Sequence, residues 1–497
     1  IRAVVSKKRF DTSTNTTVIG AKLKLFLHEE VLNRQSKKAK DSTHVGISTV
    51  ELYVAAIIDL YKQHRDRGVN AHPHPRNSTI TSLLSTRREK EMPKIVSILG
   101  IGTLMDGYST SQELKMIADF YLNSNNSEGI RDRMAHLLCH SCLVRGESAR
   151  NLELADMFSV MLENEGYSEC RALVFITNQG KTNKFARLEF GSCIRHKDVS
   201  VCSVGAVALY LYWRFTVDLE SVPNFLVPSE WYTIKLLRGK ADRTRPISYT
   251  THYKVTVKAF DALKLPTKAK PHAARGSASR MADLAGGSES QIRRLGRWNA
   301  STMEGCYLTS LPREAMRSLA GFMPDRQSYY IERALVEPPT TLQQMVFPLL
   351  DSMLAQHENE SQPNLATGGV LTLLQMLRIV VLQDFVCLNK AYPDHRLWRE
   401  ALFQTPEYME FEGSLLNAMS TSQAPTAMTI ERVMPHLMDH LAVQHDRVLS
   451  TITRRQKKSA MLCGQWSVKR RDLVSMLLLL GSLRVSPEAP IVSPIFE

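Results

Sequence analysis

The chain has 497 residues, is 43% hydrophobic and carries a formal net charge of +14 from 63 Lys and Arg against 49 Asp and Glu. That length and apolar content build buried cores in two to four domains, which excludes a disordered chain. The excess positive charge, spread along the whole length, predicts a polyanionic partner, with nucleic acid the first candidate.

The first hundred residues predict short helices. "AKLKLFLHEEVLNR" carries apolar residues at helical spacing, and "GISTVELYVAAIIDLYKQHRDR" opens with Ser48 and Glu51 placed as a capping box. Together they predict a small helical bundle, with "NAHPHPRNST" as a loop. A second capping box, Thr110 to Glu113, heads another helix, and a domain boundary is placed near residue 95.

Helical spacing continues through "IRDRMAHLLCHSCLVRGESARNLELADMF". Then "RALVFIT", the turn "NQGKTN" and "KFARLEFG" predict a β-hairpin. The apolar helix "SVGAVALYLYWRF" follows. Beyond residue 325 the chain is helical again, in "TTLQQMVFPLLDSMLAQ", "GGVLTLLQMLRIVVLQDFVCL" and "TIERVMPHLMDHLAVQHDRVLSTI", with "NESQPNLATGG" and "STSQAPTAMT" as linkers. The stripe Ile430, Val433, Met434, Leu437, Leu441, Val448 and Leu449 suits either a core helix or a dimerisation helix.

The fold class expected is mainly α with a small antiparallel sheet. Its domains are a helical DNA-clamp domain over 1–95, a mixed domain over 96–325, a helical extension over 326–455 and a basic, disordered tail over 456–497.

Eight cysteines at irregular spacing predict a reducing compartment rather than a disulfide framework. Cys139 and Cys142 form a CxxC inside an apolar helical run, with no second pair to complete a zinc site. No secretory leader opens the chain, and its first residue, Ile1, predicts a natural start further upstream. The run "LVSMLLLLGSL" is too short to span a bilayer, so no membrane partner is expected. "RRQKK" and "KRR" suit a nuclear-import signal or a solvated basic face equally.

The residues that carry chemistry lie between 145 and 307. His272 and Arg275, three apart at a helix start, share a face and make a phosphate clamp with a proton carrier beside it. Tyr307 follows Trp298 by nine residues, and a tyrosine is a competent nucleophile once cations stabilise its phenolate. Arg145 stands between two helices and Lys181 in the hairpin turn. Two arginines can hold both nonbridging oxygens of a phosphodiester while a turn lysine reaches the leaving oxygen. Nothing in this set calls for a metal or cofactor. Taken one at a time, the aromatics suit a core, His272 a cap, and Arg145 and Lys181 solvated charges.

As an ordered set these residues resemble the catalytic boxes of the tyrosine recombinases, over roughly residues 95 to 325. "HAARGSASRMADLAGGSESQIRRLGRWNASTMEGCY" matches their His-x-x-Arg, their Gly-x-Trp step and a tyrosine nine residues on. "LVRGESARNLELADMF" is similar to their first-arginine box, and "NQGKTN" to the hairpin with their catalytic lysine. The stretches "LLRGKADRTRPISYTTHYKVTVKAF" and "AYPDHRLWREALFQTPEYMEF" resemble a fungal branch with extra helices. That branch holds the Crypton transposon recombinases and the centromere DNA-binding subunit of the inner kinetochore, and the retained catalytic set favours the Crypton type.

The resemblance implies a tyrosine-recombinase-like catalytic domain in which Arg145 and Arg275 bind the scissile phosphate. His272 would assist proton transfer, Trp298 would support the phosphate, Lys181 would protonate the 5′-hydroxyl and Tyr307 would form a 3′-phosphotyrosine link. It also implies double-stranded DNA as partner, a homo-oligomer (dimer or tetramer) on DNA, and a nuclear location. A silenced descendant that binds DNA without cutting is the alternative. Ser148 departs from the family's acidic residue after the first arginine, with Glu147 beside it. Arg150 offers a rival register; Arg145 is preferred because it leaves Asp156 and the hairpin where the family has them. Lys184 rivals Lys181.

Overall fold

A computed structural model describes residues 17–35, 44–90, 106–177, 189–240, 242–265, 267, 272–298, 310–324 and 328–422. The chain divides into two compact units, residues 1–420 and 421–497, and nearly all of the second falls outside the described residues. The stripe from Ile430 to Leu449, "RRQKK" and "KRR" all lie there.

The N-terminal part is a bundle of α1 (Gly20–Phe26, continued by a π turn to Leu32), α2 (Ile47–Asp66) and α3 (residues 78–90). Their apolar stripes make a core of their own that includes Leu23, Val50, Ile57, Tyr61 and Leu84. The loop expected over 70–79 ends two residues sooner, at 77, and is pinned by the buried Asn70 amide, which donates to the Val18 carbonyl at 2.9 Å. The Ser48 capping box does not form: α2 starts two residues earlier than that box requires, at Ile47, capped by Gly46 in extended conformation with no side-chain bond. Glu51 instead pairs with Arg88 of α3.

The Thr110 box does form, at the head of α4 (Ser111–Leu122), with the Thr110 hydroxyl accepting from the Glu113 amide and the Glu113 carboxylate accepting from the Thr110 amide. Next come α5 (Ser127–Ser141) and the short α6 (Gly146–Asn151). The predicted hairpin is present as β2 (Cys170–Thr177) and β3 (Glu189–Cys193), antiparallel, with Phe175 opposite Gly191. A third strand, β1 (Met157–Leu162), is not expected from sequence, where its first residues, Met157 and Phe158, end the run at helical spacing. "MFSVML" has no polar alternation to betray it, because both faces of the sheet are covered.

The helices that follow are α7 (Ser203–Tyr212), α8 (Tyr249–Ala262), α9 (Ala273–Leu284), α10 (Glu289–Gly296) and α11 (Arg313–Leu319). Residue 347 ends what read as one helix: Pro348 splits it into α12 (Thr340–Val346) and α13 (Leu350–Glu358). Then α14 runs over Leu365–Ala391 and α15 over Pro406–Thr421. The expected linker over 359–369 ends early, because the Asn364 side chain caps α14 by accepting from the Ala366 and Thr367 amides at 2.9 and 3.1 Å.

Alternation along β2 sorts the core. Leu173 and Phe175 face the large cluster built by α4, α5, α7 and α14, whereas Ala172 and Val174 face α9, α10 and α11. The architecture is therefore mainly helical around a three-stranded antiparallel sheet, in the order β1-β2-β3. Helix α14 is long and apolar enough to cross a bilayer by composition, but in this fold its apolar residues pack into the core. It also carries Asp384, buried and bonded to Arg195 at 2.7 Å and Arg333 at 2.6 Å.

Candidate nucleic-acid interface

The site begins where α5 ends. Cys142 closes that helix, and Leu143 turns the chain through a left-handed conformation at φ 48°, costly for a bulky residue and worth about 1–3 kcal/mol of stored strain. The turn delivers Arg145, half-buried, as the extended residue just before α6. Helix α9, which packs against α5, starts immediately after His272, which is exposed, and holds Arg275 in its first turn, buried.

Helix α10 ends on Gly296, and Arg297 leaves it in a second left-handed conformation, at φ 55°. Each residue of this exit touches the site. The Gly296 carbonyl accepts a hydrogen bond from the Arg275 guanidinium. The Arg297 guanidinium donates to the carbonyls of Leu143 at 3.0 Å, Cys142 at 3.2 Å and Phe190 at 3.3 Å. The Trp298 ring, 37% exposed, lies over Arg275, its centroid 4.3 Å from the guanidinium carbon. Gly296 has no room for a side chain, since a Cβ there would run into the Trp298 ring.

Electrostatically this is a site short of negative charge. Burial, then repulsion from Arg145 and from Arg297, pushes the Arg275 guanidinium down to about 9. Glu189, at the start of β3, opposes that repulsion at both Arg275 and Arg297. Three guanidiniums close together, Arg145, Arg275 and Arg297, suit an anion with several acceptor oxygens, such as a phosphodiester.

Of the expected site residues the structure brings Arg145, Arg275 and Trp298 together, with His272 at the head of Arg275's helix. Lys181, its rival Lys184 and Tyr307 lie outside the described residues. The rival arginine points elsewhere. Arg150 lies over the Tyr249 ring at 5.4 Å, with Nη1 3.4 Å from His252 Nδ1, on the first turn of α8. Sequence reading missed Arg297, which it passed over as the middle residue of a Gly-x-Trp step; its position between two residues already singled out was the available signal.

Residues 64–409 match the family model of the centromere DNA-binding protein complex CBF3 subunit, domain 2. The chain belongs to this family. The CBF3-subunit match spans the last part of α2, all of the sheet and the helices as far as α15. No curated protein matches the chain by sequence.

Among solved structures similar to this family member is Ndc10, described as a platform for inner kinetochore assembly in budding yeast, at 12% identity. That comparison covers 63% of this chain and 72% of the other, with a TM-score of 0.35. A Flpe–Holliday junction complex is similar at 10% identity, covering 69% and 80%, with a TM-score of 0.38. An FLP recombinase–Holliday junction complex is similar at 11% identity, covering 67% and 78%, with a TM-score of 0.37.

Proposed function

We propose that this chain binds double-stranded DNA and cuts and rejoins it as a tyrosine recombinase of the Crypton type, through a 3′-phosphotyrosine intermediate. The observation that carries the reading is the cluster of Arg145, Arg275 and Arg297, with Arg275 stacked on Trp298. Such a cluster is costly to bury without an anion, and a phosphodiester supplies one with two nonbridging oxygens for two guanidinium forks.

In this reading Arg145 and Arg275 hold the phosphate and spread the charge that develops on it. The Tyr307 oxygen attacks phosphorus, passing its proton toward His272. The bond from phosphorus to the 5′-oxygen breaks, and Lys181 gives that oxygen its proton. The phosphotyrosine ester keeps the energy of the broken bond, so rejoining by a second 5′-hydroxyl needs no nucleotide. Two or four copies act on paired sites in the nucleus. An open groove in the N-terminal bundle, lined by Lys24, His28, Arg87 and Lys90 beside Ser and Thr hydroxyls, supports a second stretch of backbone contact.

The family match favours a second reading, in which the same cluster holds DNA without cutting it. A nicked suicide substrate separates the two. Protein that cuts forms a covalent adduct resistant to denaturing electrophoresis, lost in Tyr307→Phe. Retarded complexes of equal strength with both proteins, and no adduct with either, would leave the binding platform and remove the enzyme.

A further inference from the structure

We infer that Arg297 is a positioning residue, whose half-buried side chain sets the Arg145 turn and the base of the hairpin against Arg275. The inference rests on the phosphate-site reading above and assigns to the site a residue that the catalytic set does not contain.

Connectivity is the first argument. The three carbonyls that Arg297 bonds belong to two separate elements: Cys142 and Leu143 to the turn before Arg145, and Phe190 to β3. Phe190 stands just after the hairpin segment that carries Lys181. Arg297's neighbours, Gly296 and Trp298, hold Arg275. A single three-residue exit from α10 thus ties the first-arginine turn, the hairpin base and the second arginine.

Charge is the second. Among the described residues most buried arginines bind carboxylates, as Arg333 does Asp384 and Arg317 does Glu165, while the buried Arg133 donates to the carbonyls of Val199 and Ser200. Arg297, like Arg133, donates to neutral carbonyls, those of Cys142, Leu143 and Phe190, and burial holds its guanidinium below the ordinary range. Placing a cation there adds positive potential at the anion site while its planar fork reaches divergent acceptors, a geometry that a lysine ammonium cannot reproduce. The third argument is strain: both ends of the Arg297–Leu143 bond are non-glycine residues in left-handed backbone, so the contact holds two unfavourable turns in place.

The test is a double-mutant cycle between Arg145→Ala and Arg297→Lys on a fluorescent duplex of arbitrary sequence, with affinity measured across a salt series. Arg297→Lys keeps the charge and loses the fork. It is expected to weaken binding about tenfold and to flatten the salt slope by about 1, as Arg145→Ala does. Adding Arg145→Ala to Arg297→Lys should then cost almost nothing more. Circular dichroism checks the fold, and if Arg297→Lys does not fold, Arg297→Gln, with a planar amide donor, takes its place in the cycle. Wild-type affinity and slope in the folded variant, or two effects that multiply, would overturn the inference. Failure of the unaltered protein to bind the duplex would instead remove the phosphate-site reading, and that result appears before any substitution is made.

Discussion

Arg275 is held from two sides before any ligand arrives, its guanidinium carbon 4.3 Å from the Trp298 ring centroid and one nitrogen donating to the Gly296 carbonyl. The stack on Trp298 contributes about 0.5–2 kcal/mol. Its further effect is orientational, since it fixes the plane of a fork that would otherwise sample many rotamers.

Loss of either phosphate-site arginine should therefore be read in the salt dependence of binding. Arg145→Ala and Arg275→Ala are each expected to lower the slope of log affinity against log salt by about 1. Arg150→Ala, whose side chain lies over Tyr249, should leave that slope in place. An Arg150 effect as large as that of Arg145 would reverse the register.

Trp298→Phe keeps an aromatic face under Arg275, whereas Trp298→Ala removes it. The Ala variant is expected to lose about twofold to fivefold in duplex affinity, the equivalent of the exposed-site cation–π contribution, and the Phe variant much less. Equal losses would show that the ring edge or the indole N–H matters, and not the face.

The buried charge of Asp384 is matched, and its removal should cost stability. Asp384 accepts from Arg195 and Arg333, and Gly205 leaves the space its carboxylate fills. Asp384→Ala leaves two buried guanidiniums without their carboxylate, at a cost of about 3–5 kcal/mol. Arg275→Met should cost much less in DNA-free protein, because it removes a cation that its neighbours repel. Thermal unfolding of the two variants side by side checks the order.

Acid should weaken the fold in a defined window. Burial, reinforced by Arg150, holds His252 down to about 4, and burial, reinforced by His252, holds His136 down to about 3. Both are neutral in the folded chain while the unfolded chain protonates them below about 6.5. Stability is therefore unaffected above pH 6.5 and falls as pH drops from 6.5 toward 4, by about 1.4 kcal/mol per histidine per pH unit. The thermal midpoint at pH 5.5 should lie below that at pH 7.5, with a smaller drop in His252→Gln. A midpoint unchanged between those pH values would contradict neutral burial.

Local pattern settled a good deal by itself. Apolar residues at helical spacing and the Thr110–Glu113 pair marked α4, because a cap and its helix are made within a few residues. The β-rich runs on either side of a Gly-containing turn marked β2 and β3. The order Arg145, Arg275, Trp298 singled out side chains that the fold brings together, with His272 at the head of Arg275's helix.

Other features depended on partners far away in the chain. β1 is a strand because it pairs with β2 under α14, not because its own six residues alternate. Helix α14 packs into the core because β1 and α7 cover it, although its composition alone also suits a bilayer. Arg145 and Arg150 stand on consecutive turns of the same short stretch, and only the packing of α8 draws Arg150 away toward Tyr249 and His252. Arg297 reaches carbonyls more than a hundred residues earlier in the chain, and a backbone acceptor leaves no mark in a sequence. Spacing encodes what one element does to itself; which groups meet across elements is fixed by burial and by the need to satisfy every donor that burial removes from water.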